Sequence, residues 1–201
     1  MKQPMSESEI ELRARFDFSR AERGKFHERY KKGHRVTLLT GEPDMDDPLA
    51  PKELDSQLVE VAGKHLLISR LAAAGLEVAE PIRDKGADLI VYCDSGSFVA
   101  RPVQLKASSR ESFSLDAKYR KIPRLLIAYV WNVQEQERAE VYALTFAQAE
   151  KILESKHYDR TDSWQKKGYY FVRDAGAELK ELLKPYKMSA SSWREKIQSA
   201  G

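Results

Sequence analysis

The segment 125–131 (LLIAYVW) constrains this chain more than any other, because seven consecutive apolar residues leave no face for water. Side chains alternate between the two faces of a strand, so such a run predicts a strand buried on both sides. A sheet that is dry on both faces needs a packed layer over each of them. The fold expected is therefore α/β, with helices packed on the sheet.

The rest of the chain supplies those layers. At 201 residues, 42% hydrophobic and 32% charged, it holds one compact core with length left for an arm. From residue 51 an apolar set at helical spacing (Leu54, Leu58, Val61, His65, Ile68, Ala72, flanked by Leu71) predicts a helix over 51–74, opened by Pro51 and stopped by Gly75. Strands are expected over 76–81, 87–92 and 98–105, with Asp94, Ser95 and Gly96 as a hairpin turn and Pro102 suggesting a bulge or an unpaired position. A short helix is expected near 116–121, then the buried strand, a strand over 140–144 and a helix over 146–155. An aromatic strand over 169–172, a helix over 175–183 and a last helix capped near Ser189 or Ser191 complete the reading.

Composition excludes several functions. No stretch of 18 apolar residues exists, and the polar start MKQPMSESEIE lacks a secretory layout, so neither membrane insertion nor export is expected. One cysteine, Cys93, and four scattered histidines provide no disulfide and no zinc spacing, which points to a reducing cytoplasm. Cys93, at the end of an apolar strand, reads as a buried structural thiol, and Tyr129, Trp131 and Trp164 read as core aromatics.

The chemistry concentrates in GADLIVYCDSGSFVARPVQLKAS, residues 86–108. If its two strands pair, Asp88 at the start of one lies near Gln104 and Lys106 at the end of the next. Alternation puts Gln104 and Lys106 on one face and turns Leu105 into the core. A carboxylate, an amide oxygen and an ammonium on one spot suit phosphodiester hydrolysis with Mg2+ or Mn2+. The loop beyond is basic: residues 101–125 carry seven Lys/Arg against two acids, a local +5. Within it Ser108, Ser109, Arg110, Lys118, Arg120 and Lys121 are candidate phosphate contacts.

GKHLLISRLAAAGLEVAEPIRDKGADLIVY followed by VQLKAS resembles the PD-(D/E)XK nuclease superfamily, in its Q-x-K form. It is similar above all to small bacterial members related to Holliday junction resolvases and restriction endonucleases, over about residues 58–131. The resemblance implies a restriction-endonuclease-like core, with Asp88 as metal-binding acid, Gln104 as second ligand and Lys106 as catalytic lysine. Two positions depart from the pattern. Gln104 replaces a carboxylate, and Lys64 follows Gly63 where a metal-associated Glu is common; Glu60, one turn earlier, is the substitute candidate. The implied activity is a metal-dependent DNA endonuclease, and many such enzymes act as homodimers. The competing reading is a catalytically weak or dead module of the same fold, binding nucleic acid or a protein partner in a toxin-antitoxin or phage-defence setting.

Residues 1–50 read as a basic arm with an acidic linker, followed by a nuclease-like domain over 51–186 and a C-terminal helix over 187–201. Residues 12–36 hold nine Lys/Arg against three acids, a local +6, and Asp44, Asp46 and Asp47 reverse the sign. FDFSRAERGKFHERYKKG is similar to the opening of small antitoxin-like bacterial proteins; its aromatic side is expected to dock on the chain's own nuclease-like domain, with a protein partner as the alternative. The net charge of +3, from 34 Lys/Arg and 31 Asp/Glu, thus conceals two basic segments.

Overall fold

The computed structural model describes residues 54–83, 85–94, 96 and 98–199. The readings made for residues 1–50 lie outside the described residues. So does the expected helix start at Pro51.

Helix α1 (Ser56–Ala73) is capped by Asp55, whose carboxylate accepts the Leu58 N–H at 2.8 Å. It stops before Gly75, where φ is +72°. The buried stripe of α1 differs from the expected one. Val59, Gly63, Leu67 and Leu71 are buried, whereas Leu58 and Val61 are 51% and 49% exposed. The helix is apolar on more than one side, so periodicity does not single out a face. Gly63 does, because it lets the backbone approach β3 (Phe98–Ala107) so closely that an added Cβ would lie 2.4 Å from the Ala107 Cβ.

Five strands form the main sheet: β1 (Glu77–Ala79), β2 (Leu89–Asp94), β3, β5 (Leu126–Trp131) and β6 (Glu140–Thr145), in the order β1-β2-β3-β5-β6. All neighbours are antiparallel except β3 and β5, which run parallel at its centre. Pro102 lies opposite Ile90, one residue before the pairing with β5 begins at Val103, and β3 runs straight through it. A second, two-stranded ribbon joins β4 (Phe113–Asp116) to β7 (Tyr169–Val172). The sequence reading did not anticipate β4.

Every residue of β5 is buried. Leu126, Ala128 and Val130 face one core with α1 and α5 (Ala190–Gln198), while Ile127, Tyr129 and Trp131 face the other. That second core lies under α2 (Phe146–Ser155), α4 (Ala177–Leu183) and the inner side of the ribbon. Between α2 and β7 runs a short helix, α3 (Asp162–Lys167), which the sequence reading also missed. Helix α5 belongs to the first core: Trp193 and Ile197 are buried in it, and the Arg194 Nε donates to the Ala74 carbonyl at 2.6 Å. The architecture is α/β with a mixed sheet, and no described helix is long and apolar enough to cross a membrane.

Candidate functional site

The antiparallel register of β2 and β3 sets Asp88, one residue before β2, beside Gln104. One carboxylate oxygen of Asp88, Oδ2, accepts the Gln104 side-chain Nε2 at 2.5 Å and the Leu105 backbone N–H at 2.6 Å. The Asp88 N–H in turn donates to the Val103 carbonyl at 2.9 Å. These bonds tie the carboxylate to the very strand that carries the Q-x-K triplet. Gln104 is buried, and its amide nitrogen also reaches the Leu105 carbonyl at 3.2 Å.

Lys106 lies on the same face as Gln104, in register with Tyr129, while Leu105 points into the first core. Its ammonium donates to the Tyr119 hydroxyl at 3.0 Å and stands 5.1 Å from the centre of that ring. Tyr119 is buried in a single-turn 3-10 helix (Ala117–Lys121) that Asp116 caps through the Lys118 N–H. Tyr119 was not among the residues singled out from the sequence, although the short helix expected near 116–121 was the signal that would bring it to the sheet.

Beside this group lies a cavity of about 460 Å3. Gln104 and Tyr119 line it together with Lys85, Gly86, Lys118 and Lys121, so three lysines border a space that touches the contacts of both Asp88 and Lys106, the Lys118 ammonium being 3.1 Å from Asp116. Gly86 has φ of +91°, and an added Cβ would come within 2.6 Å of the Ile122 Cδ1, so the cavity edge favours glycine on two counts.

The other predicted residues separate. Glu60 is exposed on α1, which packs against the opposite face of the sheet from Gln104 and Lys106. Lys64, also on α1, pairs with Glu80 at 3.0 Å. Arg120 is engaged by Glu150 and lies over the Phe146 ring. Ser108, Ser109 and Arg110 line a different cavity, of about 380 Å3, past the end of β3. The basic loop therefore serves two surfaces, with Lys118 and Lys121 beside Gln104 and Arg110 at the second.

Asp88 and Gln104 offer a carboxylate and an amide oxygen to a hard cation. That donor set fits Mg2+ or Mn2+, which commonly uses one or two carboxylates with water and substrate phosphate completing its coordination. The amide must turn to present its oxygen, since its nitrogen faces Asp88. Among the described residues, no group of three or more His, Cys, Asp and Glu gathers as a metal site. Comparison of the chain with protein-family models, characterised proteins and solved structures finds no match.

Proposed function

We propose that this protein is a metal-dependent endonuclease of the PD-(D/E)XK type that hydrolyses phosphodiester bonds in DNA. The observation carrying this reading is the meeting of Asp88 and Gln104 on one sheet face with Lys106, beside a cavity lined by Lys85, Lys118 and Lys121. The sheet supports it too: a β1-β2-β3 meander followed by a strand parallel to β3 presents the acid and the triplet from adjacent strands.

In this reading Asp88 and Gln104 hold Mg2+ or Mn2+. When bound, the ion polarises the phosphate and makes a coordinated water more acidic. The lysines around the cavity draw in the phosphodiester by charge. Lys106 carries its ammonium to the reacting phosphate, orients the attacking water and offsets the negative charge that develops there. Tyr119 keeps that ammonium from folding away, because its hydroxyl gives Lys106 one fixed partner. The water oxygen forms the new bond to phosphorus as the bond to the leaving sugar oxygen breaks, and one water proton ends on that oxygen.

The experiment is a Mg2+ or Mn2+ cleavage assay on plasmid, branched and single-stranded DNA, comparing the unaltered chain with Asp88→Ala and Lys106→Ala. Cleavage should fall at least a hundredfold in both variants, as loss of a charge-stabilising group costs about two to three orders of magnitude. Equal cleavage by all three proteins overturns the assignment. A second reading, a nucleic-acid-binding module without cleavage, draws on the bond between the Gln104 amide nitrogen and Asp88, which seals the pair without a cation. It predicts binding and no cleavage in the same assay.

A further inference from the structure

The outer face of the β4–β7 ribbon takes no part in the cleavage chemistry, yet it has the makings of a binding surface. Along β7, Tyr170 and Val172 turn inward onto the second core, and Tyr170 stacks on Tyr158 with ring centres 4.3 Å apart. Alternation then sends Tyr169 and Phe171 outward, where they are 39% and 50% exposed. Two large rings on one strand face, two residues apart, stand about 7 Å from each other. Burial explains neither of them.

The charge around these rings is positive. Phe171 forms one wall of the cavity of about 380 Å3, together with Arg173, Arg110 and the hydroxyl-bearing Ser108, Ser109 and Ser112. Arg173 follows Phe171 on the same exposed side, while Lys166 and Lys167 flank Tyr169 at the other end of the strand. Acids lie nearby as well, and Asp162 pairs with Lys166 at 2.7 Å. Asp116, opposite Tyr169, is bound to Lys118, and Asp174 meets Arg110 only at 3.9 Å with both side chains exposed.

We infer that this face binds an unpaired stretch of nucleic acid, with consecutive bases stacked on Phe171 and Tyr169 and the phosphates held by Arg173 and Arg110. Flat aromatic faces bordered by arginine suit bases that are free of a duplex, since a paired base hides its faces in its own stack. The serine hydroxyls add neutral donors to phosphate oxygens. This site recognises single-stranded character rather than sequence, and it does so without a metal. It lies past the end of β3, apart from the cavity beside Gln104, so it holds whether or not the chain cleaves DNA.

The test measures binding of fluorescent 12-nucleotide single-stranded DNA, single-stranded RNA and duplex DNA to the full chain in EDTA, which removes divalent metal. The unaltered protein should bind a single strand more tightly than the duplex, and the DNA and RNA arms report the sugar preference. Phe171→Ala and Tyr169→Ala should each weaken single-strand binding by about fivefold to a hundredfold, the usual cost of one lost base stack. Phe98→Ala removes an exposed ring elsewhere, on β3, and should leave binding unchanged. Arg173→Ala should lower the slope of log affinity against log salt by about 0.7, the share of one phosphate contact on a single strand. Thermal unfolding of each variant separates lost contact from lost fold. The inference is overturned if no single strand binds, if both aromatic variants bind like the unaltered chain, or if they alter only self-association in sedimentation. Failure of cleavage with intact single-strand binding removes the endonuclease reading alone.

Discussion

Lys106 illustrates how a single residue acquires a role from its neighbours. Among the described residues its ammonium is held by a phenol hydroxyl rather than by a carboxylate, so an approaching phosphate meets no competing anion on it. Gly63 matters for a different reason: a Cβ added at Gly63 would collide with the Cβ of Ala107, an atom that cannot move without its backbone. Gly63→Ala should therefore destabilise the domain by about 1–3 kcal/mol, which corresponds to a fall of roughly 3 to 10 °C in Tm by calorimetry. Arg101 is a third case. It is 1% exposed, its Nε donates to the Ile197 carbonyl at 2.9 Å, and its Nη2 has no hydrogen-bond partner among the described residues. Burial and the nearby Arg124 both lower its pKa. Replacing such a charge by an apolar chain of similar length relieves its desolvation, so Arg101→Met should raise Tm by a few degrees. A fall in Tm would instead mean that the bond to Ile197 outweighs that desolvation. At this scale the placement of Asp88 beside Gln104, and of Gln104 and Lys106 on one face, was legible in the sequence because strand alternation and hairpin pairing are local rules. The contact of Tyr119 with Lys106 was not, since it depends on how the chain returns to the sheet 13 positions later.

Elements were legible where one rule dominated. The all-apolar run became β5, and Thr145 with Gln148 forms a capping box at the start of α2, close to the expected boundary. Helix α1 was located but turned to the wrong side, because Leu58 and Val61 are as apolar as the residues that are buried. Strand β4 went unnoticed because it is short, lies inside a basic stretch and owes its extended form to pairing with β7, more than 50 residues later. The segment before α5 is fastened to β6 in another way: Lys187 pairs with Glu140, which also accepts the Tyr142 hydroxyl at 2.6 Å. Burial raises the Glu140 pKa, but the bonds from Lys187 and Tyr142 outweigh it and the net shift is downward. A depressed carboxylate contributes stability above its unfolded value, near 4.5, and loses that contribution as pH falls through the lower folded value. Glu140→Gln should thus lower Tm at neutral pH, with the two melting curves converging below about pH 4.5. Parallel curves through that range would contradict the assignment.

Across residues 54–199, the mixed sheet divides labour between its faces and ends. The face toward α1 and α5 is a dry core, and the other carries Gln104 and Lys106 next to a lysine-lined cavity. Beyond the end of β3, the second cavity and the exposed rings of β7 offer a separate surface. A net charge of +3 would not suggest this, because the basic loop is divided between two sites while ion pairs such as Arg120 with Glu150 engage others. In the proposed function Asp88 and Gln104 together hold the divalent ion. Calorimetric titration of Mn2+ into the unaltered chain, Asp88→Ala and Gln104→Glu tests it most directly. One ion should bind to the unaltered chain, binding should be lost in Asp88→Ala, and Gln104→Glu should bind more tightly because a second carboxylate joins the first. Equal Mn2+ affinity in all three proteins would contradict the account.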